Sequence, residues 1–364
     1  MKMLKRNWVR PLIERLEDRT VPTFSATSIV ADASGNFSAT IVTNETQLDI
    51  DYDGTAATLT IDDASSTPLV ISGVTGNVNI TLSTTNAGAF LADLGFGGTF
   101  AGNYTLTLNR ASTTLAANVD IDTTAAATIL GNFNITTNAG STSDITFDTA
   151  NAVTVAGNVS VSTLGGGAAA SKTLTIPATS AWTIGGNLTA RQLNDLSVAT
   201  GHTINGTLSL TSRASSVAGN TNVISVATGT TVGNLSLTLG NVSGTGDSDV
   251  TLGNQVNGFT TIAMGSNTGA QTTNTLTLSG FTSLGSIIAI TGKNGSKLIT
   301  FNNVDAGLAR LTVSLGNATD NGVVFNGTSS LLYTTLVGGT GTNTVSGTIP
   351  SPFKLIRFSF GSLI

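Results

Sequence analysis

A glycine-led cassette recurs along this chain and constrains its fold more than any other feature. It reads Gly76-Asn-Val-Asn-Ile-Thr-Leu, Gly102-Asn-Tyr-Thr-Leu-Thr-Leu, Gly131-Asn-Phe-Asn-Ile, Gly157-Asn-Val-Ser-Val, Gly186-Asn-Leu-Thr, Gly206-Thr-Leu-Ser-Leu and Gly233-Asn-Leu-Ser-Leu-Thr-Leu. Weaker copies start at Gly258, Gly280 and Gly307, and successive glycines lie 20 to 29 residues apart. A turn residue followed by strict apolar/polar alternation, repeated at near-constant spacing, marks a stacked β repeat. Two or three short strands per repeat suit a parallel β-helix better than a sandwich, whose strands are longer and joined by hairpins. The expected fold is therefore an all-β parallel β-helix (β-solenoid) of about ten coils, with inward Val, Ile, Leu and Phe ladders and outward Thr, Ser and Asn stacks.

Residue usage agrees. Charged residues make up 10% of the 364, well below the roughly 25% of ordinary globular domains. No glutamate follows Glu45, and lysine beyond residue 19 is confined to Lys172, Lys293, Lys297 and Lys354. Strong helix formers are scarce while β-branched residues abound. The 40% apolar content alternates in register instead of being diluted, which argues against disorder. With aromatics at 5%, the core should be aliphatic.

The absence of cysteine excludes a disulfide framework and any thiolate metal site. No run of 18 apolar residues is present to span a membrane as a helix. Residues 1–19 carry six Lys/Arg against three Asp/Glu, and the remainder nine against 17. A weakly acidic body with few cations is a poor nucleic-acid binder.

Residues 1–24 form a separate segment. Pro11 suits the first turn of a short helix, Leu12, Ile13 and Leu16 make one apolar stripe, and Pro22 ends it. The basic start lacks the apolar core of a standard signal peptide, because Glu14, Arg15, Glu17, Asp18 and Arg19 fall where that core belongs. Arg15-Leu16-Glu17-Asp18-Arg19-Thr20-Val21-Pro22 resembles the short LE-x-R segment at the N-terminus of large exported planctomycete proteins. In that family the segment precedes long, low-charge, β-rich repeats. The resemblance covers about the first 22 residues and implies export or processing, not an activity.

Residues 25–73 read as an entry region and cap, with Asp53-Gly54 between two alternating runs as a hairpin signal. Residues 74–349 are the repeat array. Residues 350–364 are more aromatic and basic, either a C-terminal cap or a tail.

Candidate chemistry is sparse. Asp49-Ile-Asp-Tyr-Asp-Gly54 matches the opening of a calcium loop, which makes Asp49, Asp51 and Asp53 the metal candidates and calcium the one cofactor to weigh. Thr60 stands where such a loop needs a bidentate acid, and in a strand the same spacing merely puts three aspartates on the solvent face. Asp120/Asp122 and Asp247/Asp249 are i,i+2 pairs that can share a strand face, but the spacing suggests no acidic partner one coil away, and Arg110, Lys172, Arg191, Arg213, Lys293, Lys297 and Arg310 read as scattered. His202, the one histidine, reads as a turn residue. Thr-x-Thr pairs such as Thr105/Thr107 and Thr275/Thr277 follow from β propensity and fall at different distances from the cassette glycine, unlike an ice-binding array. Few aromatics are available as sugar platforms: Trp8, Trp182, Tyr52, Tyr104 and Tyr333.

The reading that follows is a secreted or cell-surface bacterial protein, structural or adhesive and not an enzyme, resembling the passenger regions of bacterial adhesins. Its partners would be cell-surface or matrix polysaccharide or protein, with no nucleic acid. The alternative is a polysaccharide-binding or polysaccharide-cleaving β-helix, which rests on fold analogy.

Overall fold

The structure, a computed structural model, describes residues 24–63, 67–110, 115–138, 142–165, 171–179, 181–214, 222–242, 247–267, 273–285, 287–318 and 320–348, and two short strands beyond, Lys354–Phe358 and Ser362–Leu363. The expected N-terminal helix and the LE-x-R segment lie outside the described residues. Among the described residues every element is a strand, and the strands form one continuous hydrogen-bonded sheet wound into a parallel solenoid.

Each coil has three faces. The cassette strand forms the first, where Phe37, Val78, Tyr104, Phe133, Val159, Leu188, Leu208 and Leu235 stack in register as inward side chains. The chain then crosses to a second face and bends onto a short third one, carried by Val153–Val155, Trp182–Ile184 and their counterparts. All three faces are present over about nine turns; the first two continue beyond them at both ends, to Phe37–Thr43 and Gln47–Asp53 before and to Lys354–Phe358 and Ser362–Leu363 after.

At the N-terminal end the pairing changes sense. Phe24–Ala26 runs antiparallel on Phe37–Thr43, and Gln47–Asp53, Thr58–Asp62 and Leu69–Ser72 make an antiparallel meander over the second face. Asp53-Gly54 sits in its first turn, where the Asp53 carboxylate accepts the N–H of Thr55 (2.8 Å) and Ala56 (3.2 Å).

The cassette sequence is explained at the corner between the third and first faces. The side-chain carbonyl of each cassette asparagine accepts the backbone N–H of its counterpart one coil on. The chain of bonds runs Asn36–Asn77 (2.8 Å), Asn77–Asn103 (2.9 Å), Asn103–Asn132 (2.8 Å), Asn132–Asn158 (2.9 Å), Asn158–Asn187 (2.8 Å) and Asn187–Thr207 (2.7 Å). The neighbouring glycines are needed because the backbones approach so closely that a Cβ at Gly102, Gly131 or Gly157 would collide with the carbonyl of the glycine below. Gly285, not Gly280, continues this column above Gly258; Gly280 instead takes a positive φ of 63° in a different turn.

One expectation about the interior needs correction. The core is aliphatic only in part, because its few aromatics stack into a spine. Ring centroids lie 4.8 Å apart for Tyr52–Phe100, 5.0 Å for Phe96–Tyr104, 5.6 Å for Phe96–Phe133, 6.2 Å for Phe133–Phe147 and 4.6 Å for Phe147–Trp182. The cations are divided between inside and outside: Lys172 and Lys297 turn inward, whereas Arg191, Lys293 and Arg310 are exposed. Ser143, Lys172, Asn194, Asn222, Ser248, Asn274, Lys297, Asn321 and Asn343 are all buried at the inner start of the second face. They form one polar column up the rod, joined by register and by bonds such as Lys172 N–H to Asn194 Oδ1 (3.1 Å) and Asn321 Nδ2 to Asn343 Oδ1 (3.0 Å). Lys297 Nζ donates to the carbonyls of Lys293, Asn294 and Gly295, and Lys172 Nζ to Ser143 Oγ at 3.1 Å. Burial pushes both amines down to about 8. Arg110 does the same work at the same corner nearer the N-terminal end, donating to the carbonyls of Asn86, Gly88 and Ala116.

Candidate functional site

The calcium-loop candidates lie in an extended strand. Leu48, Ile50 and Tyr52 are buried, and Asp49, Asp51 and Asp53 alternate with them outward. Residues two apart in a strand are separated by about 6.6 Å, whereas an EF-hand-type loop folds its first acids around one ion. Among the described residues, no group of three His, Cys, Asp or Glu side chains is placed to hold a metal ion.

What the coil does bring together is an acidic row that the spacing of the acids had not suggested. Asp49 pairs with Asp62 on one side and Asp93 on the other, and Asp93 pairs with Asp120. In-register neighbours on adjacent strands are roughly 4.8 Å apart. The next row holds Asp51, Gly95 and Asp122, and the Asp51 carboxylate leans over Gly95 into the space a side chain would fill. An acidic partner one coil away therefore exists for Asp120, contrary to expectation. The interval from Asp93 to Asp120 is one ordinary repeat, and only the step from Asp49 to Asp93 is lengthened by the inserted meander. The other pair behaves differently: Asp249 stands between Val223 and Thr275 and accepts the Thr275 hydroxyl at 2.5 Å.

The crowding has an electrostatic consequence. Burial pushes the Asp93 carboxyl up to about 6, and the like charges of Asp49, Asp120, Asp51 and Asp122 add to the shift. Asp51 and Asp120 are raised too, mainly by burial, with the N–H of Ile121 opposing the shift at Asp120. A carboxyl raised to about 6 among neighbouring carboxyls has the kind of environment in which general acids are found.

Beyond Asp120 the same row turns into hydroxyls: Thr146, Thr175, Ser197, Ser225, Thr251, Thr277 and Thr300 follow in register. The first face carries two more such rows. One runs Ser38, Asn79, Thr105, Asn134, Ser160, Thr189, Ser209, Ser236, Thr261, and the other Thr40, Thr81, Thr107, Thr136, Ser162, Arg191, Thr211, Thr238. Once Ser and Asn are counted with Thr, the polar pairs on this face share one phase, which the Thr-x-Thr pattern alone conceals.

The remaining candidates are structural. His202 is a turn residue but a buried one, its Nδ1 accepting the N–H of Trp182 at 3.2 Å, and burial lowers its pKa. Trp182, Tyr52 and Tyr104 belong to the core, whereas Tyr333 is 42% exposed. No helix among the described residues is long and apolar enough to cross a membrane. Comparison with known proteins gave no matching family model, no matching curated protein and no matching solved structure.

Proposed function

We propose that this chain is a non-catalytic, extracellular structural or adhesive β-solenoid of a bacterial cell surface. The observation that carries the proposal is the first face, whose two outer rows from Ser38 to Thr261 present hydroxyl and amide groups interrupted by a single charge, Arg191. Such a face suits many weak, repeated hydrogen bonds to a polyhydroxylated matrix more than one tight site. The resemblance of residues 15–22 to export-type segments supports placement outside the cell.

The test is protease shaving of intact native cells combined with deletion of the gene. Release of fragments of this chain, together with loss of cell–cell or matrix attachment on deletion, is the expected result. Retention inside spheroplasts with unchanged attachment overturns the reading.

The acidic row favours a second reading, hydrolysis of a polysaccharide, with Asp93 as the proton donor and Asp49 or Asp120 as the second carboxyl. Reducing ends released from a polysaccharide panel by the purified chain, and abolished by Asp93→Asn, would put this reading first.

A further inference from the structure

Near the C-terminal end of the first face, the strands Asp305–Ser314 and Ser330–Val337 pair with Arg310 opposite Tyr333 and Thr312 opposite Thr335. The register shifts between Ala306 and Arg310, a bulge of the kind that re-aims side chains. The Arg310 guanidinium lies over the Tyr333 ring, 5.6 Å from its centroid. With Thr312 and Thr335 these residues line a shallow groove of about 340 Å³. Among the described residues the contact with Tyr333 is the one interaction of the Arg310 side chain, whose donors have no acceptor there.

Each element of this groove has a use. A guanidinium held over an aromatic ring by cation–π attraction spends none of its N–H donors on that ring, and its planar fork matches a carboxylate in two parallel hydrogen bonds. Tyr333, 42% exposed, offers apolar ring area to the C–H side of a sugar, and the threonine hydroxyls both donate and accept. The groove also lies at the end of the hydroxyl row that comes up the first face, through Thr261 and Ala289 to Thr312 and Thr335. An extended polyhydroxylated chain along that row meets the cation at its end. The acidic row, which would repel an anion, occupies the second face instead.

We propose that Arg310 and Tyr333 form a subsite for a uronate unit of an acidic polysaccharide, Arg310 binding the carboxylate and Tyr333 the ring. The proposal deepens the adhesive reading by naming what the first face holds. Its test uses purified protein in solution, so its outcome is independent of where the cell places the chain.

Titration calorimetry of the full chain with oligogalacturonate, its methyl ester and a sulfated neutral oligosaccharide decides the matter. Oligogalacturonate is expected to bind, and esterification to weaken it at least roughly tenfold, because the ester offers no charge to the fork. Arg310→Gln and Tyr333→Ala should each weaken binding by about the same factor with unchanged thermal unfolding, and Arg310→Lys should fall between, keeping the charge without the fork. The proposal is overturned by failure of oligogalacturonate to bind, by equal binding of acid and ester, by equal or tighter binding of the sulfated sugar, or by binding that neither variant alters.

Discussion

The side-chain carbonyl of Asn132 accepts the backbone N–H of Asn158, one coil further along the rod, at 2.9 Å. Its own N–H is held in turn by Asn103 at 2.8 Å. Asn132→Ala removes the acceptor for Asn158 and should cost about 1–2 kcal/mol. Because a repeat unit is supported chiefly by its neighbours, hydrogen exchange should quicken around residues 131–158 and stay unchanged near Asn317. Uniform quickening along the chain would contradict this.

Gly131 and Gly73 separate two reasons for needing glycine. A Cβ at Gly131 meets the carbonyl of Gly102, whereas Gly73 has a positive φ of 76° and open space around it. Gly73→Ala should lose about 1 kcal/mol through backbone strain alone. Gly131→Ala must push two coils apart and should lose several times as much. Denaturant melts of the two variants, compared directly, test the ordering.

Lys297→Met keeps much of the buried volume but leaves the carbonyls of Lys293, Asn294 and Gly295 without their donor. A loss of about 2–4 kcal/mol is expected from the unsatisfied acceptors, against the gain from no longer burying a charge. Chemical unfolding at pH 7 measures it, and an unchanged midpoint would show that the loop carbonyls find water instead.

Asp93, pushed up to about 6, holds its proton in the folded state at pH values where the unfolded chain has released it. Its contribution to stability is therefore complete below about pH 4 and is lost as pH rises through 6. Asp93→Asn removes that dependence and should raise stability at pH 7 by about 1–2 kcal/mol, after allowance for solvent access, with no gain at pH 4. Lys172 and Lys297, pushed down to about 8, change their contribution only above this range. Thermal melts of both proteins from pH 4 to 7.5 give the comparison.

The coil itself was legible because alternation after each cassette glycine puts Val78, Ile80 and Leu82 on one side and Asn79 and Thr81 on the other. The buried lysines were legible in principle. Lys172 shares parity with Leu174 and Ile176, and Lys297 with Ile299 and Phe301, so the pattern already places both side chains inward. The acidic row was legible only in part: Asp93 and Asp120 lie one repeat length apart, whereas the stretch from Asp49 to Asp93 includes the antiparallel meander and breaks the spacing. Tyr333 escaped for a local reason. Leu332 and Tyr333 are both exposed between buried Leu331 and Thr334, so alternation fails at the groove itself.

In a parallel solenoid the interstrand hydrogen bonds run along the rod, and here they do so on three faces at once. A pull on the two ends loads these layers in series, so the molecule yields one coil at a time. With 20 to 29 residues between cassette glycines, each rupture releases roughly 65–100 Å of chain. Under such a pull the rod lengthens in steps and dissipates load coil by coil.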